Sequence, residues 1–162
     1  GLYTGEGASG GDTAETCRRL SPSVTCESLF VTPNPVISGA SLTFRVELSA
    51  TAPSVLKELA ILFYNAEGTR IGILDLRQAS GDRSFAPGHP MCVSGRVSQL
   101  DLVEGDYSLG LYVNAGDANG DFFDLVRLSV GMREPRFDVP PYAASHRGVV
   151  EFPYEFSRSL VT

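Results

Sequence analysis

Short runs in which apolar and polar residues alternate, each closed by Gly, Pro, Asn or Asp, dominate the chain from Glu27 onward. In residues 41–49, Leu42, Phe44, Val46 and Leu48 alternate with Thr43, Arg45 and Glu47. A period of two gives a pleated strand one apolar and one wet face, whereas a helix would scatter the same residues around its axis. The pattern recurs at 28–32, closed by Pro33-Asn34-Pro35, and at 59–65, 70–77, 91–100, 108–114 and 122–130. Residues 59–65 are almost continuously apolar, which suits a central strand.

Seven or eight such runs at near-even spacing, with no strongly helical stretch and no internal repeat, predict an all-β fold. The expected form is an antiparallel, immunoglobulin-like β-sandwich. Two turn signals refine it. Leu102-Val103-Glu104-Gly105-Asp106-Tyr107 has the spacing of a tyrosine corner, with Tyr107 entering a strand and bonding back across the bend. Asn119-Gly120 predicts a hairpin turn between the last two sandwich strands.

Three segments follow. Residues 1–24, rich in Gly, Thr and Ser, read as a linker or leader. Residues 25–132 form the sandwich core. Residues 133–162 are a Pro-rich arm ending in an apolar-aromatic run, 148–156. That run is expected to be a last strand covering either its own sheet edge or a neighbour's.

Charge and motif content exclude several functions. With 13 Lys+Arg against 19 Asp+Glu, the net charge is −6, which disfavours nucleic acid and anionic membranes. No apolar run reaches the roughly 20 residues of a membrane helix, and the first residues lack a basic-then-apolar export pattern. Cys17, Cys26 and Cys92 form no CxxC pair and read as reduced thiols. There is no G-x-S-x-G, HExxH or GxxxxGK[ST]. His89 and His146 sit in Pro/Gly-rich loops, so neither a catalytic triad nor a zinc site is expected. Asp117, Asn119, Asp121 and Asp124 resemble a calcium loop in part. The glycine at Gly120 and Leu128 at the twelfth position break that pattern, and a polar hairpin tip is the expectation. No metal or cofactor is expected.

A binding surface remains. With Phe44, Ile61, Leu111 and Val113 inward, the outward set is Arg45, Tyr64, Tyr112 and Asn114, joined by Arg77 and Arg127. Aromatic rings beside planar donors suit a sugar, and an Arg fork grips phosphate or carboxylate.

Several phrases in order carry a family resemblance: SGASLTFRVEL, ELAILFYNAEGTRIG, LVEGDYSLGLYV, DFFDLVRLSV and RGVVEFPYEF. Together, over about 38–156, they resemble the C-terminal domain of the ATP-binding subunit of polysaccharide (O-antigen) ABC exporters, the Wzt type. The resemblance implies a non-enzymatic, cytoplasmic domain that recognises the non-reducing end of a lipid-linked polysaccharide before export. It also implies a homodimer exchanging the last strand, an upstream ATPase domain and a membrane permease as partners. The family's binding residues vary, so none carries over. Two other readings stay open: a structural or adhesive immunoglobulin-like domain that binds protein, and a lyase or hydrolase on a sandwich scaffold.

Overall fold

A computed structural model describes residues 17–78 and 83–161; the leader through residue 16 lies outside them. Among the described residues ten strands and one short helix succeed one another: β1 (Arg18–Arg19), β2 (Val24–Thr32), β3 (Val36–Ile37), β4 (Leu42–Ala50), β5 (Ser54–Tyr64), β6 (Arg70–Asp75), β7 (Ser84–Phe85), β8 (Met91–Val97), β9 (Gly105–Ala115), β10 (Ala118–Gly131) and α1 (Ala144–Arg147). They form two sheets. The larger runs β3-β10-β9-β5-β6 with β7 also on β5, and the smaller runs β1-β2-β4-β8. All pairings are antiparallel except β3 with β10. The all-β sandwich expected from alternation is the observed fold.

The two inner faces make one core. Leu42, Phe44, Val46 and Leu48 of β4 meet Leu59, Ile61 and Phe63 of β5, and Leu109, Leu111 and Val113 of β9. The polar residues between them on β4 stand outside, as the period requires. Gly95 lets β8 close over this core, because a Cβ there would lie 2.6 Å from the Phe44 ring. The tyrosine corner is present: the buried Tyr107 hydroxyl donates to the Val103 carbonyl at 2.5 Å. Asn34 continues the edge of β10 by donating to the Arg127 carbonyl (2.8 Å) and accepting from the Ser129 amide (3.1 Å).

Three expectations need correction. The sandwich begins inside the segment read as a linker, since Arg18 and Arg19 pair with Cys26 and Thr25. The β9–β10 hairpin turns at Gly116-Asp117, while Asn119 and Gly120 are paired strand residues. Gly116 takes φ 54, the positive angle a two-residue turn requires at its first centre. Asp117 then accepts from the Ser21 hydroxyl, so the local contacts favour this turn over the Asn-Gly one. Finally, residues 148–156 form no strand within the chain. Val149 and Glu151 make two backbone bonds with Val103 and Asp101 around an isolated bridge from Val150 to Leu102. Pro153 then removes a ladder donor.

Candidate functional site: the outer face of the larger sheet

Strand β5 is buried on both faces from Leu59 to Tyr64. Its inward residues belong to the main core, but Ala60, Leu62 and Tyr64 form a second buried cluster on the outer face, with Tyr112 of β9 packed against it. Leu62 is fully buried there, although no further layer of the chain covers this side among the described residues.

A bulge adds a third ring. Leu109 pairs with Val126 and Leu111 with Phe122, so Gly110 alone opposes Phe123, Asp124 and Leu125. Extra residues in one strand bend it and re-aim its side chains. Phe122 and Leu125 stay with the core, whereas Phe123 turns outward, half exposed, edge-on to Tyr64 with ring centroids 5.6 Å apart. Asp124 absorbs the bend at φ 56, and its carboxylate accepts from the Ser108 hydroxyl at 2.7 Å. Gly110 is required by the close approach, because a Cβ there would lie 2.4 Å from the Phe122 carbonyl oxygen.

Polar groups lock these rings. Arg70 donates to the Tyr64 hydroxyl from Nε (3.1 Å) and Nη2 (2.7 Å), and Nη2 also meets Asp121 at 3.0 Å. Both partners hold the Arg70 guanidinium in its charged form. Tyr112 donates to Glu58 Oε1 at 3.1 Å, and Asn114 donates to the same oxygen at 3.3 Å. That bond to the carboxylate, above all, raises the Tyr112 hydroxyl above its ordinary value. One end of the face opens into a groove of about 540 Å³ lined by Tyr64, Asn65, Ser108, Phe123, Asp124 and Arg127. A second groove, of about 480 Å³, lies off this face, between the edges of the two sheets, lined by Lys57, Glu58, Arg77 and Arg83 on one side and by Met91, Cys92, Val93 and Ser94 of β8 on the other.

Of the residues expected from sequence, Tyr64, Tyr112, Asn114 and Arg127 therefore share this face, and Arg77 stands at its edge. There Arg77 forks the Asp75 carboxylate at 2.7–3.1 Å. Arg45 does not join them. It lies on the outer face of the smaller sheet, paired with Glu47 at 3.1 Å. Alternation tells in from out but does not say which sheet a strand enters. Sequence reasoning missed Glu58, Arg70, Asp121 and Phe123. Phe122-Phe123 carried a signal, since consecutive rings cannot both face one core in a regular strand.

The resembled calcium loop does not assemble. Asp117 is turned to Ser21, Asp121 to Arg70 and Asp124 to Ser108. Among the described residues no three His, Cys, Asp or Glu side chains are grouped to hold a metal ion.

No protein-family model matches the chain, and no curated protein matches it. Among solved structures, it is similar to one described as the crystal structure of the C-terminal domain of wzt. The TM-score is 0.64 and the identity 15%, over 92% of each chain. At that identity the likeness shows a shared fold.

Proposed function

We propose that this chain is a non-catalytic carbohydrate-recognition domain. Its aromatic outer face would bind the non-reducing end of a lipid-linked polysaccharide awaiting ABC-transporter export. The observation that carries the reading is the second apolar cluster, with Tyr64 in it, Tyr112 packed against it and Phe123 edge-on to Tyr64, on a sheet face that no layer of the described residues covers and that fixed hydrogen-bonding groups surround. Sugars present apolar C–H faces edged by hydroxyls, and such a surface complements both. The fold shared with the wzt C-terminal domain supports the exporter context. In that context the chain works in the cytoplasm beside an ATPase domain and a permease.

A homodimer through the C-terminal segment belongs to the same proposal. The arm exposes the rings of Phe137, Tyr142, Phe152, Tyr154 and Phe156, whereas among the described sandwich residues Phe123 is the exposed ring. Exposed apolar patches of this kind mark interaction sites. The arm also favours the second reading, a protein-binding structural domain.

Glycan-array and calorimetric binding to polysaccharide fragments tests the proposal. Tyr64→Ala, Tyr112→Ala and Phe123→Ala should each weaken binding at least tenfold. Arg45→Ala, on the opposite sheet, should leave it unchanged. Binding that survives all three aromatic truncations in folded protein refutes the assignment.

A further inference from the structure

We infer that Arg70 is the positioning residue of this face: its guanidinium straps two strands and, acting through Tyr64, sets the ring and hydroxyl that meet a sugar. The inference rests on the carbohydrate reading above and gives one residue a role within that site.

Arg70 stands on β6 and Asp121 on β10, with β5 and β9 between them in the sheet. Their ion pair, 3.0 Å long, therefore crosses both intervening strands on the outer face. The register shows where. Arg70 is level with Tyr64 and Tyr64 with Ser108, whereas Asp121 is level with Tyr112 and Tyr112 with Ala60. The pair Leu62–Gly110 lies between those two rows. The strap thus passes over Leu62 and Gly110, and both are buried although no layer of the described residues covers them. Gly110 puts no side chain in its way.

The strap grips Tyr64 as it crosses. Nε and Nη2 of Arg70 both donate to the Tyr64 oxygen, and Nη2 reaches on to Asp121. An oxygen that accepts two N–H groups turns its own proton elsewhere, so the Tyr64 hydroxyl is offered to a ligand as a donor. The guanidinium carbon lies 5.3 Å from the centre of the Tyr64 ring, which Phe123 meets edge-on. Ring tilt and hydroxyl direction are both set by a side chain whose far end is anchored on β10. A lysine could not replace it, because one ammonium lacks the planar fork that serves two partners. The competing role is direct contact with the glycan through Nη1, which makes no hydrogen bond among the described residues.

A double-mutant cycle separates the two roles. Calorimetry on mannan, galactan and glucan fragments finds the one the wild type binds most tightly, and the variants are read on it. Arg70→Met should weaken binding roughly tenfold, the equivalent of one charge-assisted hydrogen bond, and Arg70→Lys should not restore it. On a Tyr64→Phe background, Arg70→Met should cost no more than about twofold further, since coupled residues are not additive. Additive losses would make Arg70 a direct contact and overturn the inference. Asp121→Asn, which keeps an acceptor oxygen, should bind more tightly than Asp121→Ala; equal affinities would remove the strap from binding. The Tyr64 ring flip, followed by NMR without ligand, should speed up in Arg70→Met. An unchanged flip overturns the inference and leaves the carbohydrate reading standing. If the wild type binds no fragment, that reading falls and the role in binding falls with it, while the ring flip still decides whether Arg70 holds Tyr64.

Discussion

The hydroxyl of Tyr107 reaches the Val103 carbonyl inside the corner, where burial raises its pKa and keeps the proton in place as a donor. Tyr107→Phe keeps the ring but strands a carbonyl in the corner. The expected loss is about 1–3 kcal/mol of unfolding free energy, measured by urea denaturation, with glycan binding unchanged. That residue could be picked out from spacing alone because a corner is local, spanning Leu102 to Tyr107. Asp75 gives a second test. The Arg77 side chain, and then its backbone N–H, hold the Asp75 carboxyl down to about 2, below its ordinary 3.8. A depressed carboxyl adds stability above its unfolded value and loses it as pH falls through the folded one. The ion pair therefore persists through mildly acidic conditions. Carbon-detected NMR titration should place the Asp75 midpoint near 2 in the native protein, and Arg77→Ala should return it toward 3.8.

At the scale of elements, β4 and β10 show where alternation suffices and where it fails. β4 keeps a strict period of two through Leu42, Phe44, Val46 and Leu48, and its burial follows the sequence residue by residue. β10 departs from it at Phe123-Asp124-Leu125, and the departure turns Phe123 out toward Tyr64. A bulge depends on how much chain the neighbouring strand offers opposite it, and that information lies about a dozen residues away, at Gly110. Arg70 was hidden for the same reason, because its partners Tyr64 and Asp121 come from two other strands. Gly110→Ala tests the link between bulge and face. Its new methyl would press on the Phe122 carbonyl, which belongs to backbone and cannot swing aside. We expect a loss of about 1–3 kcal/mol, the usual cost of overpacking. Glycan affinity should fall by more than Tyr107→Phe causes at equal stability, because Phe123 loses its bearing on Tyr64. Equal affinity in the two variants would detach the bulge from binding.

For the whole molecule, the arm is fastened to the sandwich at two points, and the segment beyond them packs on the arm itself, Phe156 against Phe137 with ring centroids 5.7 Å apart. Arg147 pairs with both Glu104 and Glu151, and its Nε donates to the Tyr142 carbonyl at 2.6 Å. Val149 and Glu151 bond to the backbone of residues 101–103, and Arg133 ties the arm's start to Ser38 and Asp101. Residues 133–151 are thereby clamped to their own sandwich at both ends. After Glu151, Arg136 donates to the Tyr154 carbonyl at 2.5 Å, and Leu160 and Val161 are almost fully exposed. If the proposed dimer exchanges a segment, the clamp therefore confines the exchange to residues 152–161. Deleting residues 152–162 should leave the melting temperature of the sandwich within a few degrees, since none of the core residues lies there. The same deletion should convert a dimer to a monomer by light scattering. Because two linked faces on one glycan-bearing surface raise apparent affinity through effective concentration, the truncated chain should keep its affinity for short soluble fragments. It should lose it only for immobilised polysaccharide. A truncated chain that stays dimeric would move the interface elsewhere, and one that unfolds would show that the segment completes the sandwich.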